Sequence, residues 1–175
     1  LFQARWRMAT GQSLPHLSVI QRPALNPLPD ETAAVFTNVT LAFSRTMPAF
    51  KEQAELTEIA RVFHDLIAVA TRSIVIENQY LTAHSIVNAL AQRLKEENGP
   101  EVVIILPEKA GGWLEKRTMG ILQDLAIKRI MAADDHNRLR IYFPFDRKRA
   151  HLKLGMTVHS KLMIIDDRYL SVGSA

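Results

Sequence analysis

The residues of this 175-residue chain with the clearest potential for chemistry lie in its last stretch, TVHSKLMIIDDRYLSVGSA. His159 and Lys161 are two residues apart, and Asp166 follows five residues after the lysine. If residues 158–165 form a strand, its period of two places the side chains of His159 and Lys161 on one face. A lysine is a compact charge suited to a phosphate oxygen, and a histidine can act as a nucleophile or an acid–base catalyst near neutral pH. Together they predict a site that holds and attacks a phosphodiester.

The same residue types also fit a role without chemistry. A histidine and a lysine at the entrance of a strand are often surface groups, and Asp166 followed by Asp167 is a normal turn-forming pair. The pattern is uncommon by composition alone, but it does not by itself choose between the two interpretations.

Composition limits the chemistry that the chain can perform. The absence of cysteine excludes disulfides, cysteine nucleophiles and cysteine metal sites. The net charge of +4 suits an anionic partner such as a phosphate ester, a lipid headgroup or a nucleic acid. The longest apolar runs, such as residues 102–106, are far shorter than the ~20 residues that span a bilayer. Four cations, Arg147, Lys148, Arg149 and Lys153, precede the histidine, either as a solvated loop or as a docking loop.

The elements that would position these residues follow an alternating pattern. The segments NVTLAF, SIVIE, EVVIIL and RLRIYF are typical of strands, and residues 55–71, 85–97 and 113–133 have helical spacing. HSKLMII and YLSV, separated by DDR, predict a hairpin. The pattern predicts an α/β fold with a mixed, largely parallel sheet layered between helices.

The first 30 residues differ from this pattern. LFQARWRMATG has helical spacing, and the following segment holds four of the eight prolines, which predicts an extended connector. We therefore expect residues 1–30 to be the tail of a preceding half and its connector. Residues 31–175 are then a C-terminal catalytic half, truncated at its end.

The terminal stretch resembles the HxKxxxxD (HKD) signature of the phospholipase D superfamily, in which a Gly-Ser pair follows the motif. The matching residues are His159, Lys161, Asp166, Gly173 and Ser174. A second stretch, IVIENQYL at residues 74–81, is similar to the IENQYF segment that precedes the second HKD motif of the family. ARWRMATG is similar to the region after the first motif in bacterial members. The chain thus resembles the C-terminal half of a bacterial phospholipase D-like or cardiolipin synthase-like protein.

This resemblance implies an enzyme with two similar α/β halves, a shared site, a phosphohistidine intermediate and neither metal nor cofactor. His159 would be the general acid and later the base, and Lys161 would bind the non-bridging phosphate oxygens. Asp166 belongs to the catalytic motif, although its place at a turn favours a structural role. Gly173 and Ser174 would lie near the phosphate, with Glu77 and Asn78 adjacent to the site.

The resemblance also implies substrates and partners. We expect hydrolysis or phosphatidyl transfer on glycerophospholipids, with the first HKD motif supplied by the N-terminal half of the same protein. The 175-residue piece alone is expected to be inactive, and a cytoplasmic or peripheral location at an anionic membrane surface is predicted. A dimeric nuclease-type phosphodiesterase and a non-catalytic module that binds anionic lipid or nucleic acid remain the alternatives.

Overall fold

The structure of the chain is a computed structural model, and it describes residues 2–14, 38–108, 116–145 and 156–173. The chain divides into two compact units, Leu1–Ala42 and Phe43–Ala175. In the first unit, α1 (Phe2–Thr10) confirms the predicted amino-terminal helix. It ends at Gly11, which has a φ of 72° and donates its N–H to the Arg7 carbonyl at 2.9 Å. The proline-rich connector lies outside the described residues, so the predicted division after residue 30 stays a prediction.

The second unit contains two sheets and three α-helices among its described residues. In chain order its elements are β1 (Thr46–Met47), β2 (Leu56–Thr57), α2 (Glu58–Val69), β3 (Ser73–Asn78), α3 (His84–Lys95), β4 (Glu101–Ile105), a π-helix (Lys116–Gly120), α4 (Ile121–Met131), β5 (Leu139–Tyr142), β6 (Lys161–Ile165) and β7 (Tyr169–Val172). The short strands β1 and β2 pair with each other, and the other five form the main sheet. The elements predicted from residue 55 onwards are all present where the structure describes them.

One predicted strand is wrong. Residues 38–43, NVTLAF, form neither a strand nor a helix. The alternation of Val39, Leu41 and Phe43 favours a strand, yet all three side chains are exposed, Phe43 by 89%. A strand needs a neighbour whose backbone completes its hydrogen bonds, and this segment pairs with none of the described strands.

The main sheet has the strand order β5-β4-β3-β6-β7. β3 is parallel to β4 and β4 to β5, whereas β6 is antiparallel to β3 and to β7. Parallel neighbours require crossover connections, which contain α3 and α4 here. The predicted α/β fold with a mixed sheet flanked by helices is confirmed, with parallel pairs making up half of the pairings.

The core lies on one face of this sheet. In β3, Ile74 and Ile76 are buried, and the register places them beside Ile165 and Met163 of β6. Residues at alternate positions, such as Leu162 and Ile164, are only half-buried on the opposite face. Helices α2, α3 and α4 cover the buried face with Ile67, Leu90, Leu94 and Ile130. The predicted period-two division of residues 158–165 is therefore confirmed for β6.

A buried arginine joins the end of α3 to the start of β5. The Arg138 guanidinium donates to the carbonyls of Leu94, at 3.0 Å, Glu96 and Gly99. These carbonyls lie in the last turn of α3 and just after it, where helix geometry leaves acceptors without partners. One side chain thus satisfies three backbone groups. It fixes the edge of the sheet at which α3 ends and β5 begins.

Candidate functional site

The candidate site lies at the edge of the sheet where the parallel strands end. β3 ends at Asn78, and antiparallel pairing brings Lys161, the first residue of β6, directly opposite it. Directly opposed residues in an antiparallel pair project from the same face. The carboxyl edge of parallel strands is also where α/β proteins commonly bind ligands. Two sequence-predicted site residues, Lys161 and Asn78, are therefore brought together.

The Lys161 ammonium is held in place by two oxygens. Its Nζ donates to Gln79 Oε1 at 3.0 Å and to the His159 carbonyl at 2.9 Å, and the side chain is half-buried. An ammonium has three N–H donors, so one remains after these bonds. The lysine is thus fixed in orientation by two of its three donors, and none of the described residues uses the third.

His159 lies just before β6 and is exposed. Its carbonyl binds the Lys161 ammonium, so the backbone of His159 is linked directly to the side chain of Lys161. In the part of the chain that the structure describes, no carboxylate is bonded to the imidazole ring. The ring is therefore open to solvent and to any group that approaches this edge.

Gln79 is a site residue that the sequence prediction did not list. Its amide accepts from Lys161 through Oε1 and donates through Nε2 to the Tyr80 hydroxyl at 2.9 Å. The signal for it was the polar run that follows β3, but only the pairing of β3 with β6 shows which of these residues reaches the lysine.

Glu77 and Asn78, predicted as site-adjacent, project from different faces. Asn78 shares the face of Lys161, and its Oδ1 accepts from the Tyr80 N–H at 3.4 Å. Glu77 pairs with Leu162 and lies on the other face, where its carboxylate accepts a hydrogen bond from the Ser160 hydroxyl. Glu77 therefore supports the strand that carries the motif from the side opposite to Lys161.

Asp166 lies at the far end of β6 from His159. The two residues are seven positions apart along an extended chain, about 23 Å at ~3.3 Å per position. Asp166 and Asp167 have φ values of 54° and 57°, and the Arg168 N–H donates to the Ile165 carbonyl at 2.9 Å. Two central residues with positive φ define a type I′ hairpin turn, which confirms the predicted hairpin.

The Asp166 carboxylate is buried and accepts four hydrogen bonds. Oδ1 accepts from the N–H groups of Arg72 (2.7 Å) and Ser73 (2.8 Å). Oδ2 accepts from the N–H and the hydroxyl of Thr71, both at 2.8 Å. The Ser73 N–H contributes most to holding the pKa of this carboxyl well below its usual value, against the opposing effect of burial. Asp166 thus ties the β6–β7 turn to the start of β3, and the structure does not bring it to His159.

Gly173 returns the chain to the site edge after β7. Its N–H donates to the Lys161 carbonyl at 3.0 Å, so it lies beside the lysine. Ser174, the other predicted phosphate neighbour, lies outside the described residues, as do the cations between residues 147 and 153.

The described residues lack two kinds of feature. They contain no group of three or more histidine, aspartate or glutamate side chains arranged to hold a metal ion. None of their helices has the length and apolar character needed to cross a bilayer.

Comparison with known proteins assigns the chain to a family. Residues 63–175 match the family model described as the PLD-like domain of cardiolipin synthase. A solved phospholipase D family member, Nuc from Salmonella typhimurium, is similar with a TM-score of 0.49 and 19% identity; the match covers 67% of this chain and 63% of that chain. No curated protein matches. Because the family model spans well over half of its length, the chain belongs to the PLD-like domain family, in a superfamily of phosphodiesterases and phosphatidyl transferases.

Proposed function

We propose that this chain supplies one half of a phosphodiester-transfer site that hydrolyses glycerophospholipids or transfers their phosphatidyl group. The observation that carries the proposal is the Lys161 ammonium, held at the carboxyl edge by Gln79 and by the carbonyl of His159. A cation that is already oriented stabilises charge at phosphorus without reorganising during the reaction. Membership of the cardiolipin synthase PLD-like domain family supports a phospholipid as the substrate.

In the proposed first step, Lys161 binds a non-bridging oxygen of the substrate phosphate through its remaining N–H. A histidine from the first HKD motif, supplied by the N-terminal half of the natural protein, forms a bond to phosphorus. The bond from phosphorus to the leaving alcohol breaks, and His159 gives its proton to the departing oxygen. The product of this step is a phosphohistidine and a free alcohol.

In the proposed second step, His159 acts as a base. It removes the proton of the acceptor, which is water in hydrolysis and an alcohol in transfer. The acceptor oxygen then bonds to phosphorus as the phosphorus–nitrogen bond breaks, which restores the partner histidine. The exposed position of the His159 ring supports this role, because the ring must meet both the leaving group and the acceptor.

The space beside Lys161 also supports the proposal. A Cβ placed on Gly173 would meet no heavy atom of the described residues within 4 Å, so packing against them does not require a glycine at this position. Gly173 and Ser174 are proposed to flank the phosphate, with the peptide of Gly173 already hydrogen-bonded to the backbone of Lys161. Such a substrate would be met at an anionic membrane surface, where the protein would act peripherally.

Turnover on vesicles of phosphatidylglycerol tests the proposal, with phosphatidic acid as the product of hydrolysis and cardiolipin as a product of transfer. In the natural full-length polypeptide, His159→Asn and Lys161→Met are each expected to lower the rate by about a thousandfold or more. Lys95→Met, at an exposed lysine of α3, is the matched control and should leave the rate unchanged. The isolated 175-residue chain is expected to show no turnover.

Three results would contradict the proposal. Full lipid turnover by His159→Asn would remove the acid–base role. DNA cleavage without lipid turnover would replace the lipid enzyme with a nuclease. Vesicle binding that persists in His159→Asn, with no turnover by the unaltered polypeptide, would indicate a non-catalytic binding module.

A further inference from the structure

Four large apolar side chains are exposed at the same edge of the sheet as the candidate site. They are Tyr142, Phe143, Phe145 and Met156, with exposed fractions of 54%, 44%, 54% and 48%, and we call them the edge aromatic patch. The Met156 N–H donates to the Pro144 carbonyl at 3.3 Å, so the two segments of the patch are in contact. Single exposed apolar residues are ordinary on protein surfaces, but a cluster that contains three aromatics indicates a binding surface.

The strand register fixes where this patch lies relative to Lys161. Tyr142 pairs with Ile105, Ile105 with Glu77, and Glu77 with Leu162, which forms one continuous row across the sheet. Adjacent strands are ~4.8 Å apart, so Tyr142 lies about 14 Å from Leu162, the residue after Lys161. The carboxyl ends of β3, β4 and β5 share this edge. The patch and the candidate site therefore lie at the same edge of the sheet, although the row of Tyr142 projects from the face opposite to Lys161.

We propose that the edge aromatic patch docks this chain onto an anionic lipid bilayer, with the aromatic rings in the headgroup region. Aromatic side chains with an apolar body concentrate at membrane–water interfaces, and Tyr142 adds a polar hydroxyl. In the sequence, the ten residues between Phe145 and Met156 carry four cations and one carboxylate, which favours an anionic surface over a neutral one.

A protein partner fits these observations less well. The cores of protein interfaces are depleted of charge, whereas the patch is interrupted in sequence by a cluster of like charges. Those charges gain energy from a surface that carries many dispersed anions. This inference rests on the proposed function, because a lipid substrate is the reason for this chain to bind a bilayer. The docking surface is separate from the candidate site and is tested by a separate measurement.

Co-sedimentation of the chain with vesicles tests the docking surface. The vesicles are phosphatidylglycerol and phosphatidylcholine in equal parts, compared with phosphatidylcholine alone. The Phe143→Ser/Phe145→Ser double variant is expected to lower the partition coefficient on anionic vesicles by about tenfold or more, because two rings no longer leave water. Phe50→Ser is the matched control, since Phe50 is 50% exposed outside the patch, and it should stay within about twofold of the original.

A second measurement reports directly how deeply the patch enters the bilayer, and its variant keeps an aromatic side chain in the patch. In Phe145→Trp, vesicles with brominated acyl chains should quench an additional component of the fluorescence, and in Phe50→Trp they should not. Equal partitioning of the double variant and the control would overturn the proposal, as would equal quenching in the two tryptophan variants. Loss of self-association in the double variant, with unchanged vesicle binding, would assign the patch to contact between copies instead.

The two proposals fail separately. Vesicle binding requires no turnover, so His159→Asn is expected to bind vesicles as the original chain does. Binding through the patch without any lipid turnover would contradict the proposed function and leave the docking surface intact. Lipid turnover by the natural polypeptide, with vesicle binding unchanged in the patch variants, would contradict the docking surface and leave the proposed function intact.

Discussion

The substitution Asp166→Asn isolates the contribution of one buried carboxylate to the stability of the fold. Asparagine has the same shape as aspartate and tolerates the positive φ of 54° at this position equally well. It retains one oxygen, which can serve one pair of donors among the Thr71, Arg72 and Ser73 groups. Its NH₂ group then faces the other pair, so two charge-assisted hydrogen bonds are lost and two buried donors lose their acceptor.

The size of the effect follows from these contacts. Hydrogen bonds to a charged group contribute about 1.5–3 kcal/mol each, so the loss of two predicts a decrease of about 3–6 kcal/mol in the free energy of unfolding. The whole stability of a domain is about 5–15 kcal/mol, which makes this a large fraction. Asp167→Asn is the matched control in the same turn. Asp167 is exposed and its carboxylate pairs with Arg72 at 3.3 Å and with no other described residue, so its replacement is expected to cost less than about 0.5 kcal/mol.

Urea unfolding followed by circular dichroism at several pH values measures both quantities. The folded pKa of Asp166 lies below its unfolded value, so the contribution of the carboxylate is fully present above the unfolded pKa of about 3.9. It declines as the pH falls below that value towards the folded pKa. The difference between the original chain and Asp166→Asn should therefore be large at pH 7 and smaller at pH 3. Equal costs for the two Asn variants at pH 7, or a difference that grows on acidification, would refute this reasoning.

Three further predictions concern the site and the opposite edge of the sheet. Gln79→Met should lower kcat on phosphatidylglycerol vesicles by about tenfold in the natural polypeptide with little change in KM, because it frees the Lys161 ammonium. Recovery of the rate in Gln79→Glu would support a positioning role for this side chain. Equal loss of rate in both variants would contradict that role. His159→Asn should change the free energy of unfolding by less than about 0.5 kcal/mol in urea, since the side chain is exposed, and a larger loss would show a structural role. Arg138→Met should destabilise the chain by about 2–4 kcal/mol in thermal or urea unfolding because three carbonyls lose their donor. Arg129→Met, at an exposed arginine, is the control. An equally small effect of the two variants would contradict the bridging role of Arg138.

Local patterns in the sequence were sufficient for most of the fold. The buried alternation of Ile74 and Ile76, and of Met163 and Ile165, is visible as apolar runs of strand length. The Asp166-Asp167 pair between two such runs predicted the hairpin, since short polar side chains tolerate positive φ. The fold class and the approximate bounds of the helices follow from these features without knowledge of any distant contact.

The main error and the main omission have one physical cause. NVTLAF has the composition of a strand, but a strand exists only where a neighbour pairs with it, and none of the described strands does. Gln79 lies in a polar run, and no local feature of the sequence distinguishes it from its neighbours. The lysine that its amide binds is 82 residues away in sequence. Both outcomes depend on pairing between distant segments, which local propensity does not specify.

The sequence by itself therefore determined the residue types of the site and the face of β6 that carries them. The period of two of an extended strand predicts that the side chains of His159 and Lys161 share that face. Only the tertiary structure decided what each residue meets: the β3–β6 register sets Lys161 beside Asn78 and Gln79, while the turn at the other end places Asp166 on the backbone of residues 71–73. The difference has a simple origin, because side-chain direction is a local property of the chain, whereas register is fixed by packing and hydrogen bonds between segments far apart in sequence.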